Sequence, residues 1–277
     1  MDVLQLKKIK FASPMLDLGC GDGTFSFTLF GGKCDIDFDT FRTETKDFYK
    51  GRDIYDQPPK IKPRILGKPR MKIDVGLDWK KNLLDKAKDL KLYDRLIQHD
   101  LNKPLPFDNE CFNTIFSNVF YWIKNLSQLL SECNRILKKK GKLILCVPDV
   151  RFRENLIYNL FLSHGHLWAK YLDRGIYSNI GHCYSYTNWK KLLEHSGFRT
   201  IKHSNYLSEN FVQFHNIGMR PYSPYVIEMA NSLKSATRKR IKRRLMEEIT
   251  PIIESYVEYE TSLKSCGSFH LFVLQKY

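Results

Sequence analysis

The chain has no C-x-x-C pair. Its seven cysteines (20, 34, 111, 133, 146, 183 and 266) stand singly, so the spacing of a structural zinc site is missing. Several lie in apolar runs, as reduced, buried cysteines do, and a reducing, cytoplasmic compartment is expected. No apolar run approaches the roughly eighteen residues of a membrane span, and no basic–apolar–small-residue pattern opens the chain, so no cleaved leader is expected. Internal repeats are also absent. What remains is a chain of 277 residues with 43% hydrophobic and 13% aromatic content, enough for a packed core. It is long enough for one large α/β domain with insertions or for two small domains. The net charge of +15 points to a polyanionic partner, nucleic acid or anionic lipid, or else to a lysine-rich solvated surface.

The stretch around which the rest is organised is Met15 to Phe30, MLDLGCGDGTFSFTLF. A short apolar strand runs into Gly19, Gly21 and Gly23, and a helix starts at Thr24. Glycines on alternate positions allow positive φ and close approach of a ligand to the backbone. A dinucleotide fingerprint would place a small residue where Thr24 stands, and a P-loop would end in Gly-Lys-Ser/Thr. Neither is present. Asp17 and Asp22 are poorly placed beside a pyrophosphate and suit a ligand that carries an ammonium and a sulfonium. Asp17-Leu18-Gly19-Cys20-Gly21-Asp22-Gly23 resembles motif I of the class I S-adenosylmethionine-dependent methyltransferases, D/E-x-G-x-G-x-G, in full.

Further along, Met71–Asp78 reads as a strand ending in an acid, followed by a helix with Leu83, Leu84, Ala87 and Leu90 on one face. A carboxylate at that strand end can accept both ribose hydroxyls; Asp78 is the candidate and Asp74 the competitor. A third strand, Leu96–His99, leads to Asp100, which the resemblance makes the acceptor of the adenine amino group. DLNKPLPFDNECFNTIFSN is similar to the family's D-x-x-x-L-P-F stretch, with Asn113 where Asp is common. Strand four, Thr114–Val119, precedes Phe120, Tyr121 and Trp122, which either shape the adenine and substrate entrance or fill the core. A helix over Asn125–Lys138 is expected to stop at Gly141, and strand five, Lys142–Val147, ends at Pro148. Arg135, Leu137, Lys138, Gly141 and Pro148 match the family's R-x-L-K-x-G-G stretch. A loop from Gly181, an N-cap at Thr187, a helix stopping at Gly197, and strands over Phe198–Tyr206 and Ser268–Lys276 complete the pattern.

The resemblance is to the large type 11 group and covers roughly residues 13–30, 71–149 and 181–206. It implies an α/β fold: a doubly wound, seven-stranded, Rossmann-like sheet with the last strand antiparallel, in a single domain over residues 1–277. Three insertions are expected: a Pro-rich loop or lid at about 31–70, substrate-recognition helices at 151–180, and a basic helical segment at 207–266. The implied cofactor is S-adenosyl-L-methionine, held by Asp17, Gly19, Cys20, Gly21, Asp22, Gly23, Asp78, Trp79, Asp100, Leu101 and Asn118. His182 is the candidate base, with a purely structural loop role as its alternative; His164 and His166 are weaker candidates. Methyl transfer to a small-molecule, saccharide or lipid-type acceptor, at oxygen, is expected. The alternatives are a tRNA or rRNA methyltransferase and a catalytically inactive binding protein. Lys234–Arg244, basic nearly all round, would touch a membrane surface or a phosphate backbone, or is a solvated helix.

Overall fold

The computed structural model describes residues 2–36, 38, 62–162, 180–218, 222–262 and 267–277. Residues 39–61, most of the 31–70 insertion, and residues 163–179, with His164 and His166, lie outside that set.

Apolar strands alternate with amphipathic helices. This fits a parallel sheet covered on both faces. The strands are β1 (Met15–Leu18), β2 (Lys33–Cys34), β3 (Ile65–Gly67), β4 (Ile73–Asp78), β5 (Tyr93–Gln98), β6 (Phe112–Ser117), β7 (Leu137–Pro148), β8 (Phe198–Tyr206) and β9 (Phe269–Lys276). Seven of them form one sheet in the order β5-β4-β1-β6-β7-β9-β8. All are parallel except β9, which runs antiparallel to both β7 and β8. The two directions of winding diverge from β1, between β4 and β6, so the switch point lies at the carboxyl end of β1, where ligands bind in open α/β sheets.

The helices are α1 (Asp2–Leu6), α2 (Thr24–Leu29), α3 (Lys81–Asp89), α4 (Leu126–Ile136), α5 (Val150–Glu154), α6 (Ile157–Leu162), α7 (Tyr186–His195), α8 (Glu209–Ile217), α9 (Ser223–Ser232) and α10 (Ser235–Ser262). One core lies on the face of α4 and α7, around Leu129, Leu130, Phe112, Trp189 and Phe272. The other lies on the face of α1 and α2, around Met15, Phe27, Phe30, Phe116 and Leu271. The ends of the 31–70 insertion close on each other as the antiparallel pair β2–β3.

Several boundaries differ from the sequence expectation. Helix α4 stops at Ile136, not at Gly141, because Leu137 is buried and pairs with Phe112 in the sheet. Residues 138–141 then form an irregularity at the start of β7, with Lys140 at φ 62°. The cap of α7 is Ser185, whose Oγ accepts from the Asn188 N–H, two residues before the expected Thr187. Strand β5 begins at Tyr93, three residues earlier than expected.

Candidate cofactor-binding site

Six strands end at the carboxyl edge of the sheet. Leaving β1, the chain turns over β4, where the N–H groups of Gly19 and Cys20 both donate to the Leu77 carbonyl, at 2.8 and 3.0 Å. Gly19, Gly21 and Gly23 take φ of 80°, 57° and 76°, the left-handed region that disfavours any side chain. Two of these glycines do different work. A Cβ on Gly19 would lie 2.3 Å from Val119 Cγ2, so the loop after β6 presses directly on this turn. A Cβ on Gly21 would meet nothing within 4 Å. The protein therefore leaves open the space in front of Gly21, where a ligand can approach the backbone.

Asp78 closes the other side of the loop. Its Oδ2 accepts from the Gly21 N–H at 3.0 Å and its Oδ1 from the Lys80 N–H at 2.9 Å. The group is 7% exposed, and burial holds its pKa above the ordinary carboxylate value. Asp74 is at the opposite end of β4, bound to Ser13 Oγ and to the Met15 N–H. It ties β4 to β1 there and is remote from the loop.

Asp17 is 3% exposed, and its Oδ2 accepts from Ser26 Oγ at 2.6 Å and from Tyr93 Oη at 2.7 Å. Burial pushes its pKa up to about 6, opposed by those two hydrogen bonds. Ser26 and Tyr93 were not expected from the sequence. Tyr93 starts a strand and carries no motif, so only the fold brings its hydroxyl to Asp17. Asp22 accepts from the Thr24 N–H at 3.0 Å, occupying one of the free donors at the start of α2 that a phosphate would use. Cys20 is buried, and burial followed by the field of Asp17 and Asp78 keeps its thiol well above the usual range.

On the β5 side, the His99 N–H donates to the Asp78 carbonyl, which brings Asp100 next to the Asp78 strand end. Asp100 accepts from the backbone and side-chain amides of Asn102, and these hold its pKa low. Leu101 is buried, and Trp79 is 63% exposed with the Lys80 ammonium 5.4 Å from its ring. Arg135 clamps the following loop, donating to the carbonyls of Leu105 and Phe107 while paired with Glu132. Asn118 is half-buried in the loop after β6. There Ser117 Oγ donates to the Leu18 carbonyl and fixes the two strand ends together. Phe120 is core, while Trp122 is 49% exposed at the rim.

His182 docks on this same loop. The Gly181 and His182 N–H groups donate to the Tyr121 carbonyl, and His182 Nε2 lies 2.8 Å from the Ile123 carbonyl. A carbonyl only accepts, so Nε2 carries a proton, and in the neutral ring Nδ1 accepts from Tyr184 Oη at 2.6 Å. Both ring nitrogens are thus engaged by the protein. Among the described residues no group of three or more His, Cys, Asp or Glu is arranged to hold a metal ion, and no helix is long and apolar enough to cross a membrane.

A family profile described as a methyltransferase domain matches residues 4–203. The chain belongs to this methyltransferase family. Its fold is the class I S-adenosylmethionine-dependent one, and the cofactor of that class is S-adenosyl-L-methionine. A demethylmenaquinone methyltransferase of Thermotoga maritima is 30% identical over 124 residues, which cover 43% of this chain and 51% of that protein; the match thus spans about half the length of this curated relative. A Thermotoga maritima S-adenosylmethionine-dependent methyltransferase, described as a candidate histamine N-methyltransferase, shares the fold at a TM-score of 0.52 and 14% identity, covering 100% of this chain and 87% of the other. A Galdieria sulphuraria protein, described as a candidate sarcosine dimethylglycine methyltransferase, does so at 0.52 and 12%, covering 99% and 83%. The methyltransferase loop fits the cofactor chemically. It offers an open approach to Gly21, with two buried carboxylates behind and beside that approach.

Proposed function

We propose that this methyltransferase transfers a methyl group from S-adenosyl-L-methionine to a small-molecule, saccharide or lipid-type acceptor, at oxygen. The observation that carries the reading is the Gly19–Gly23 turn, left-handed at all three glycines and bridged to Asp78 through the Gly21 N–H. The sulfonium of the cofactor supplies an electrophilic methyl group. The protein's task is to align acceptor, methyl carbon and sulfur. Asp78, with one backbone donor on each oxygen, keeps lone pairs for the ribose hydroxyls. Asp100 would take the adenine amino group, with Trp79, Leu101 and Asn118 around it, and Asp17 would hold the loop through Ser26 while its charge faces the ammonium end. The relative is named for demethylmenaquinone, a small-molecule acceptor, which supports a small-molecule acceptor here. The six described cysteines are all free thiols, which supports a cytoplasmic setting.

His182 is the proposed base. It serves in that role when the acceptor hydroxyl takes the place of Tyr184 Oη on Nδ1, with the Ile123 carbonyl keeping the proton on Nε2. Calorimetric titration with S-adenosylhomocysteine, beside NADH as control, tests the site. Micromolar binding of the first alone is expected. Absence of that binding removes the enzymatic reading and leaves a methyltransferase-fold binding protein. Acceptor screening then starts with saccharides and lipids, and RNA serves as the polyanionic comparison, where phosphate contacts would give a steep salt slope.

A further inference from the structure

Helix α10 carries its charge in two blocks. Arg238, Lys239, Arg240, Lys242, Arg243 and Arg244 occupy its first half, and Glu247, Glu248, Glu254, Glu258 and Glu260 its second. No acid of the helix precedes Glu247, and no base follows Arg244. This order opposes the helix dipole, which favours acids at the N-terminus and bases at the C-terminus. The blocks touch within the helix at Arg244–Glu248, 3.6 Å apart with both ends exposed.

Along the same helix Ile241, Leu245, Ile249, Ile252, Tyr256 and Tyr259 recur at spacings of four and three residues, one continuous stripe. Met246 and Ile253 flank it. Arg238, Val257 and Glu260 are buried near the helix ends, yet these eight apolar side chains are 38–64% exposed. A contiguous apolar surface of this extent marks an interaction site. At roughly half exposure each, they offer on the order of 800 Å² per copy, the share one partner gives to a standard interface.

We propose that the stripe is covered by α10 of a second copy of the chain, antiparallel about a two-fold axis near the middle of the helix. That axis makes a single patch self-complementary. It lays the basic half of each helix along the acidic half of the other, and each terminus gains the charge its dipole wants. A parallel pairing would set like blocks against each other. An anionic lipid surface or an RNA backbone would attract the first half and repel the second along one stripe, which is why the second copy is the better occupant. Lys234–Arg244 is then half of a dimer seam rather than a polyanion contact.

Sedimentation of the full-length protein at micromolar concentration tests this. The expected mass is twice the 32.7 kDa of one chain. Arg240→Glu/Arg243→Glu, and separately Glu254→Lys/Glu258→Lys, should each weaken self-association about tenfold or more, with circular dichroism confirming that both remain folded. Mixed together, the two variants should form a heterodimer. A monomeric wild-type chain overturns the proposal, and so does failure of the mixed variants to pair. Wild-type protein that stays monomeric and sediments with phosphatidylglycerol vesicles, or binds RNA with a steep salt slope, overturns it in favour of that polyanion.

Discussion

Gly21→Ala separates the cofactor cradle from the packing that holds it. The new methyl group meets no protein atom within 4 Å, so the only cost to folding is alanine at φ 57°, about 1–2 kcal/mol. For a chain of this size that lowers the melting temperature by roughly 2–8 °C. In the proposed site the methyl group points into the approach of the cofactor, so affinity for S-adenosylhomocysteine should fall by about tenfold or more, at least 1.4 kcal/mol or so. Gly19→Ala provides the contrast. It carries the same left-handed cost and also drives a Cβ to 2.3 Å from Val119 Cγ2, on a β-branched side chain that is stiff at χ1. Overpacking of this kind adds about 1–3 kcal/mol, so this variant should melt several degrees below Gly21→Ala. Adding Val119→Ala to Gly19→Ala should recover part of that loss. The assay is a thermal melt paired with calorimetry for each variant. Gly21→Ala that binds S-adenosylhomocysteine as tightly as wild type would refute the placement of the ligand.

Asp78→Ala removes a charged acceptor and the brace on Gly21, and about 1.5–3 kcal/mol of binding, tenfold or more in Kd, should go with it in calorimetry. Asp17→Ala should weaken cofactor binding by about tenfold or more as well. Because the Asp17 carboxyl sits at about 6 in the folded protein, wild-type Kd should rise by about tenfold per pH unit below that value. Asp17→Asn should lose the pH dependence, and an unchanged slope would count against its role. His182→Ala should leave S-adenosylhomocysteine affinity near normal while transfer to an acceptor falls; a collapse of cofactor binding would move the site. His203 Nε2 lies 3.0 Å from His270 Nδ1, and His270 Nε2 lies 2.8 Å from Asp149 Oδ2. Burial first, then its histidine neighbour, lowers His203 to about 4, and burial lowers His270 too. An unfolded histidine titrates near 6.5, so between about pH 6.5 and 4 the unfolded chain binds more protons and these groups cost stability as pH falls. Asp17, raised in the fold, acts in the opposite sense over about pH 6 to 4. His203→Gln should therefore reduce the stability lost between pH 7 and 5 by about 1 kcal/mol, once partial exposure is allowed for. Urea melts at the two pH values check it, and equal losses in both proteins would refute it.

Much of the architecture is legible in the residues themselves. Strand β1 with its glycines, the acid ending β4, and the apolar stripes of α3 and α4 place the sheet and its carboxyl edge. These signals are local: positive φ is a property of glycine, and burial on one face leaves a 3.6-residue period. Helix ends were less legible. Whether α4 runs to Gly141 depends on Leu137 finding Phe112 across the sheet, a pairing that no local pattern announces.

The sequence by itself determined that this chain winds a methyltransferase sheet and turns a glycine loop beside Asp17. Only the tertiary structure distinguishes the surroundings of Asp78 from those of Asp74. The two lie four residues apart on one strand and are chemically alike, yet one meets Gly21 at the carboxyl edge and the other meets Ser13 at the far end. It likewise gave Asp17 its partners, since Ser26 and Tyr93 converge on one oxygen from a helix and a strand 67 residues apart in numbering, Ser26 to Tyr93. The physical reason is common to these cases. A residue's type and its neighbours in the chain set its chemistry and its local conformation. Which groups it meets is set by strand order and register, and those are fixed by the burial of the whole core at once.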